Sequence, residues 1–179
     1  KELAKTFKGS RLGFEEADLT VSEYNKLKRE LKGVTLIPTN NRIEELRMIK
    51  RDNEIENIKR AAELTDQCFT FILSKLIPGV EEGEIAWEIE SFFRIRGATN
   101  AFSPIVAFGK NTSQPHYSLS TKGQTLVDQT IVLLDFGARV NGYCSDMTRV
   151  VFLGKPKDEW KRAYQTVLKA QKAALDYLQ

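Results

Sequence analysis

The stretch with the most chemistry in it is Ile131-Val-Leu-Leu-Asp135-Phe-Gly-Ala-Arg-Val-Asn-Gly-Tyr-Cys-Ser-Asp146-Met-Thr-Arg149. Two strand-like runs flank Asn141-Gly142, a dipeptide that favours a tight hairpin turn because both residues accept positive φ. If the turn centres on Val140-Asn141, Asp135 and Asp146 face each other directly across the ladder. If it centres on Asn141-Gly142, they are diagonal neighbours on the same face, because strand side chains alternate with period two. Either register sets two carboxylates side by side, and like charges opposed across a ladder destabilise it. Three remedies exist: a divalent cation bound by the hard carboxylate oxygens, a raised pKa on one aspartate, or a counter-charge from Arg139 or Arg149. In an arbitrary protein a solvated or salt-bridged pair is the commoner outcome. The one histidine, His116, follows Pro115 in a polar stretch and by itself reads as an ordinary surface residue.

The elements that must position these groups follow from periodicity. Thr20 and Glu23 have capping-box spacing, and Tyr24, Leu27 and Leu31 follow at helical intervals up to Gly33, which predicts a short amphipathic helix. A strand over Val34 to Ile37 comes next, and Pro38-Thr-Asn-Asn41 forms a polar break that is the best candidate domain boundary. Ile55, Ile58, Ala62, Thr65, Phe69, Ile72 and Leu76 predict a long helix stopped by Pro78-Gly79. Ile85, Ile89 and Phe92 mark another, ended by Gly97. Both stripes read as core. Beyond Gly97 the period shortens: Ser103 to Phe108, Thr130 to Leu134 and Tyr143 to Leu153 are β-prone. Trp160, Tyr164, Val167, Leu168, Ala174, Leu175 and Leu178 predict a closing amphipathic helix.

Composition narrows the function classes. With 28% charged and 41% hydrophobic residues the 179-residue chain is ordinary for a folded soluble protein, and no apolar run approaches a membrane span. The net charge of +3 comes from Lys and Arg interleaved with Glu, so neither nucleic acid nor membrane is expected as a partner. Cys68 and Cys144 lack zinc-motif or disulfide-framework spacing, and a cytoplasmic setting with reduced thiols is expected. The chain opens at Lys1 in a charged stretch, without an apolar signal segment, which suggests a trimmed piece of a longer protein.

Leu134-Asp135-Phe-Gly-Ala followed by Gly142-Tyr-Cys-Ser145-Asp146-Met-Thr-Arg149 resembles the metal-binding signature of the pita-bread metallopeptidases. Ser103-Pro-Ile-Val-Ala-Phe-Gly-Lys-Asn111 with Pro115-His116 resembles the segment that supplies their active-site histidine. Leu46-Arg-Met-Ile-Lys50 and Glu54 to Ala61 resemble the start of the catalytic domain in the Xaa-Pro aminopeptidase and prolidase branch. The resemblance implies an α+β class, an antiparallel sheet with flanking helices. Residues 1–41 would end an amino-terminal domain and its linker, and residues 42–179 would form the first half of the catalytic domain. It further implies two divalent metal ions, manganese foremost with cobalt or zinc as alternatives. Asp135 would bind one, and Asp146 would bridge both with a water or hydroxide between them. His116 would hydrogen-bond the substrate, a peptide with proline in second position, near the scissile bond. The family completes its site with a histidine and two glutamates from a second half of the domain, so this chain alone is expected to be inactive and to form a homodimer. The alternatives are a non-catalytic module that binds peptide or protein, and a metal-free creatinase-like hydrolase, against which both aspartates count.

Overall fold

A computed structural model describes residues 9–118 and 123–178, and the chain divides into two compact units, residues 1–51 and 52–179. In the first unit, β1 (Arg11–Glu15) runs parallel to β2 (Thr35–Thr39), and α1 (Val21–Glu30) is the crossover between them. The capping box forms as its spacing requires. The Thr20 hydroxyl accepts from the Glu23 N–H at 3.3 Å, and the Glu23 carboxylate takes the Thr20 N–H at 3.0 Å. Phe14 of β1 packs on Tyr24 of α1 with ring centroids 5.3 Å apart. The strand expected over residues 34–37 runs on through Pro38 to Thr39. A proline is tolerated there because, among the described residues, β2 pairs on one side only. A short helix, α2 (Arg42–Met48), follows.

The second unit opens with the long helix α3 (Asp52–Leu73) and continues with α4 (Glu82–Ile95). The buried face of α3 is Ala61, Thr65, Cys68 and Ile72. That is one position away from the periodicity at Ala62, which is exposed, as is Ile55. A β-hairpin lies along this face, where small residues permit a close approach, and the next helix packs on α3 as well, with Phe71 against Phe92 at a centroid distance of 5.2 Å. Helix α4 buries Ile85, Ile89, Phe92 and Phe93.

These helices cover one face of a three-stranded antiparallel sheet in the order β4 (Ile105–Phe108), β5 (Ile131–Phe136), β8 (Met147–Phe152). A second small sheet has the order β3 (Thr99–Asn100), β6 (Ala138–Val140), β7 (Tyr143–Cys144). Along β5, Val132, Leu134 and Phe136 point into the core, so Ile131, Leu133 and Asp135 point out of its opposite face. Beside them on that face stand Thr148, Val150 and Phe152 of β8. The closing helix α5 (Asp158–Tyr177) meets this face at one end, where Phe152 packs between Trp160 and Tyr164 at centroid distances of 6.3 and 6.1 Å. None of its described side chains is fully buried.

Candidate metal centre

The hairpin that carries the aspartates is one ladder in two sheets. Asp135 opposes Thr148, and nearer the tip Val140 opposes Tyr143, so the turn centres on Asn141-Gly142 with φ of 50° and 88°. This is the second of the two registers compatible with the sequence. Asp146 is therefore not opposite Asp135 but two residues before its partner, in the gap between β7 and β8.

That gap is where the hairpin bends from one sheet into the other, and hydroxyl groups take over there from the backbone ladder. The Ala138 N–H donates to Ser145 Oγ at 3.0 Å and Thr65 Oγ1 at 3.1 Å, while Ser145 N–H donates normally to the Ala138 carbonyl at 2.9 Å. Both hydroxyls lie 3.0 Å from the Ala61 carbonyl and 2.7 Å from each other. Each has one proton, so one donates to Ala61 and the other to its neighbour. Two further bonds tie the hairpin tip to α3: Tyr143 OH to Glu54 at 2.6 Å, and Asn141 Nδ2 to Asn57 at 2.9 Å. Glu54, Asn57, Ala61 and Thr65 thus form a helical stripe that holds the hairpin, and Asp146 is presented at a fixed bend rather than on a free strand.

Asp135 is half-buried, and its Oδ1 is fully buried with no hydrogen-bond partner. Burial pushes its carboxyl above the ordinary aspartate range, and the neighbouring Asp146 charge adds to that. A hydrogen bond with the Thr148 side chain and the field of His116 pull it back. Asp146 and His116 are both exposed. The charges of Asp146 and His116 thus both act on Asp135. The arginine remedy is not used: Arg149 lies 5.9 Å from the Phe69 ring and donates to the Thr148 carbonyl. An orphaned buried oxygen calls for a ligand, and carboxylate donors suit a hard divalent cation. Among the described residues, however, no group of three or more His, Cys, Asp or Glu could hold a metal ion. Asp135 and Asp146 therefore fit as part of a donor set.

Three residues that matter here had no assigned part in the sequence reading. Thr65 looked like one more position in a core stripe, and Ser145 was a motif residue without a role. Glu82 was not singled out at all, yet it is wholly buried. The helical spacing of Glu54, Asn57, Ala61 and Thr65 is the only local signal for the clamp, and it is legible only once a hairpin is known to lie there.

Comparison with known proteins accounts for both units. Residues 56–179 match the model of metallopeptidase family M24, and residues 1–49 match the creatinase/prolidase N-terminal domain. The uncharacterised peptidase YqhT of Bacillus subtilis is 38% identical over 171 residues, which is 95% of this chain and 48% of that protein. Among solved structures, an Xaa-Pro dipeptidase from Bacillus anthracis superposes with a TM-score of 0.87 at 41% identity, covering 95% of this chain and 48% of that one. An X-Pro aminopeptidase from Thermotoga maritima gives 0.86 at 32% identity, covering 98% and 50%. The chain spans about half the length of the relatives it matches. It has the α+β pita-bread architecture over that half, and it belongs to metallopeptidase family M24.

Proposed function

We propose that this chain contributes Asp135, Asp146 and His116 to the metal-dependent hydrolysis of Xaa-Pro peptide bonds, in a protein that joins them to the remaining ligands. The observation that carries the reading is the partnerless, buried Oδ1 of Asp135 within the field of both Asp146 and His116. Asp135 and Asp146 would hold divalent metal, manganese foremost, with cobalt and zinc as alternatives. The metal supplies Lewis acidity and a nucleophile at neutral pH. Asp146, exposed at the bend, would bridge the two ions, and Asp135, with its buried Oδ1 unpartnered, would bind one. His116, exposed on a turn, would donate to the substrate carbonyl or to the group leaving it.

A manganese titration followed by NMR tests this directly. Paramagnetic broadening is expected to centre on Asp135, Thr148 and Asp146, to reverse with chelator, and to be weak, since catalytic sites of this kind usually have three protein ligands. In a protein with the complete donor set, cleavage before proline should depend on the metal. Broadening spread over surface carboxylates at random would sink the assignment. Metal-independent binding of an Xaa-Pro peptide without turnover would favour a non-catalytic module instead.

For the chain by itself we propose a second copy as partner. Helix α5 leaves Tyr164, Val167, Leu168 and Leu175 exposed by 40–69%. A groove of about 640 Å³ opens between it and the outer face of β8, lined by Thr148, Val150, Phe152 and Trp160 among others. β8 is also an outer strand of its sheet among the described residues. Light scattering over a concentration series is expected to show the mean mass rising toward a dimer, without peptidase activity, because doubling Asp135, Asp146 and His116 adds no glutamate ligand. A chain monomeric at all concentrations would refute it. The absence of a disulfide suits a cytoplasmic setting, which is part of the same proposal: both cysteines are free, and burial pushes the Cys68 thiol up to about 12.

A further inference from the structure

We propose that Glu82 is the positioning residue for His116: a buried carboxylate that locks both flanks of the turn on which the histidine stands. The inference rests on the substrate role given to His116 above, but the clamp itself is visible in the geometry. Glu82 opens helix α4 and has no exposed surface. Its Oε1 accepts from the Phe108 N–H at 2.6 Å and from Asn111 Nδ2 at 2.9 Å. Its Oε2 accepts from Tyr117 OH and from the Gln124 N–H, both at 2.8 Å. Asn111 Nδ2 also approaches Oε2 at 3.2 Å.

Four donors from four places in the chain therefore fill the roughly four lone-pair positions a carboxylate offers. Phe108 ends β4 and Asn111 lies in the 3₁₀ turn Gly109–Ser113 before His116. Tyr117 is the next residue after His116, and Gln124 lies beyond it. One side chain on a rigid helix thus holds Phe108 and Asn111 ahead of the histidine and Tyr117 and Gln124 after it. His116 itself is exposed and sits at a turn, so its position is inherited from these anchors. No shorter or neutral side chain does the same. Glutamine at residue 82 has one acceptor oxygen, and its amide N–H groups would confront two of the four donors.

His116 is the only histidine in the chain, so its ring gives a single, unambiguous NMR signal. In Glu82→Gln that signal is expected to move or split. The Phe108 and Gln124 amides should exchange with solvent on the order of 100-fold faster, while those of Leu134 and Phe136 keep their rates, because a local opening leaves the core closed. Ile85→Val, which trims a fully buried residue of the same helix, serves as control: it should lower the thermal midpoint without moving the His116 signal. An unmoved signal in Glu82→Gln, or an equal movement in Ile85→Val, overturns the proposal. Should Glu82→Gln fail to fold, the unmodified chain still decides. A Gln124 amide that exchanges as slowly as that of Leu134 upholds the clamp, and one that exchanges like an open loop overturns it. An Xaa-Pro dipeptide added with manganese separates the two readings. If it leaves the His116 signal in place while Glu82→Gln displaces it, the clamp stands and the substrate role of His116 falls.

Discussion

Asp146→Asn is expected to abolish peptide hydrolysis in a protein with the complete donor set, while leaving this chain as stable as before. The second half of that expectation follows from exposure: Asp146 is solvated and lies outside both strands. Surface substitutions of that kind stay within roughly 0.5 kcal/mol. The first half follows from charge. A neutral amide bridges two cations poorly, and metal-derived transition-state stabilisation is worth several kcal/mol. Several kcal/mol at about 1.4 kcal/mol per decade is a loss of roughly a thousandfold in kcat. His116→Ala should differ in kind, sparing manganese broadening at Asp135 while lowering turnover by roughly a hundredfold or more, as expected for a group working on substrate. Turnover of Asp146→Asn within tenfold of the parent would show that this residue is not a bridging ligand. So would unchanged manganese broadening at Asp135.

Gly137→Ala is expected to have the largest effect on folding of any single methyl addition in the hairpin. The backbone at Gly137 is not in the left-handed region, so its requirement is space and not conformation. A Cβ there would overlap the Ser145 carbonyl, with the Asp146 Cα close behind. Both are backbone atoms, and they are held by the Ser145 hydroxyl contacts to Ala61, Thr65 and Ala138. Neither can swing aside as a side chain would. Overpacking in a well-packed interior costs about 1–3 kcal/mol and more where backbone must shift, and we expect about 3 kcal/mol or more, read as a drop in the urea midpoint at unchanged slope. A cost below about 1 kcal/mol would mean that the bend yields easily. The clamp would then not be what presents Asp146. Ser145→Ala, which keeps the space and removes the hydroxyl, should cost less, about 1–3 kcal/mol, as expected for leaving the buried Ala138 N–H with one acceptor fewer.

Local periodicity determined a good deal of this protein. The capping box at Thr20, the helices begun near Asp52 and Glu82, the strands around Ile105 and Ile131 and the closing helix are all written in spacings of two or three to four residues. The expectation that Asp135 and Asp146 lie side by side was legible in the same way, because Asn141-Gly142 permits two registers and both keep the carboxylates on one face. Local signals could not choose between those registers. Nor could they show that the strand expected from Tyr143 to Leu153 is cut at Ser145-Asp146, where the hairpin changes sheets. That break depends on α3, whose Ala61 and Thr65 sit 84 and 80 residues from Ser145 in sequence. Glu82 is the sharper case: a glutamate in the first turn of a helix is favoured by the helix dipole whether it faces water or core. Its four donors come from residues 26 to 42 positions away, so only the tertiary structure decided that this acid is buried and that donors from both sides of His116 meet on it.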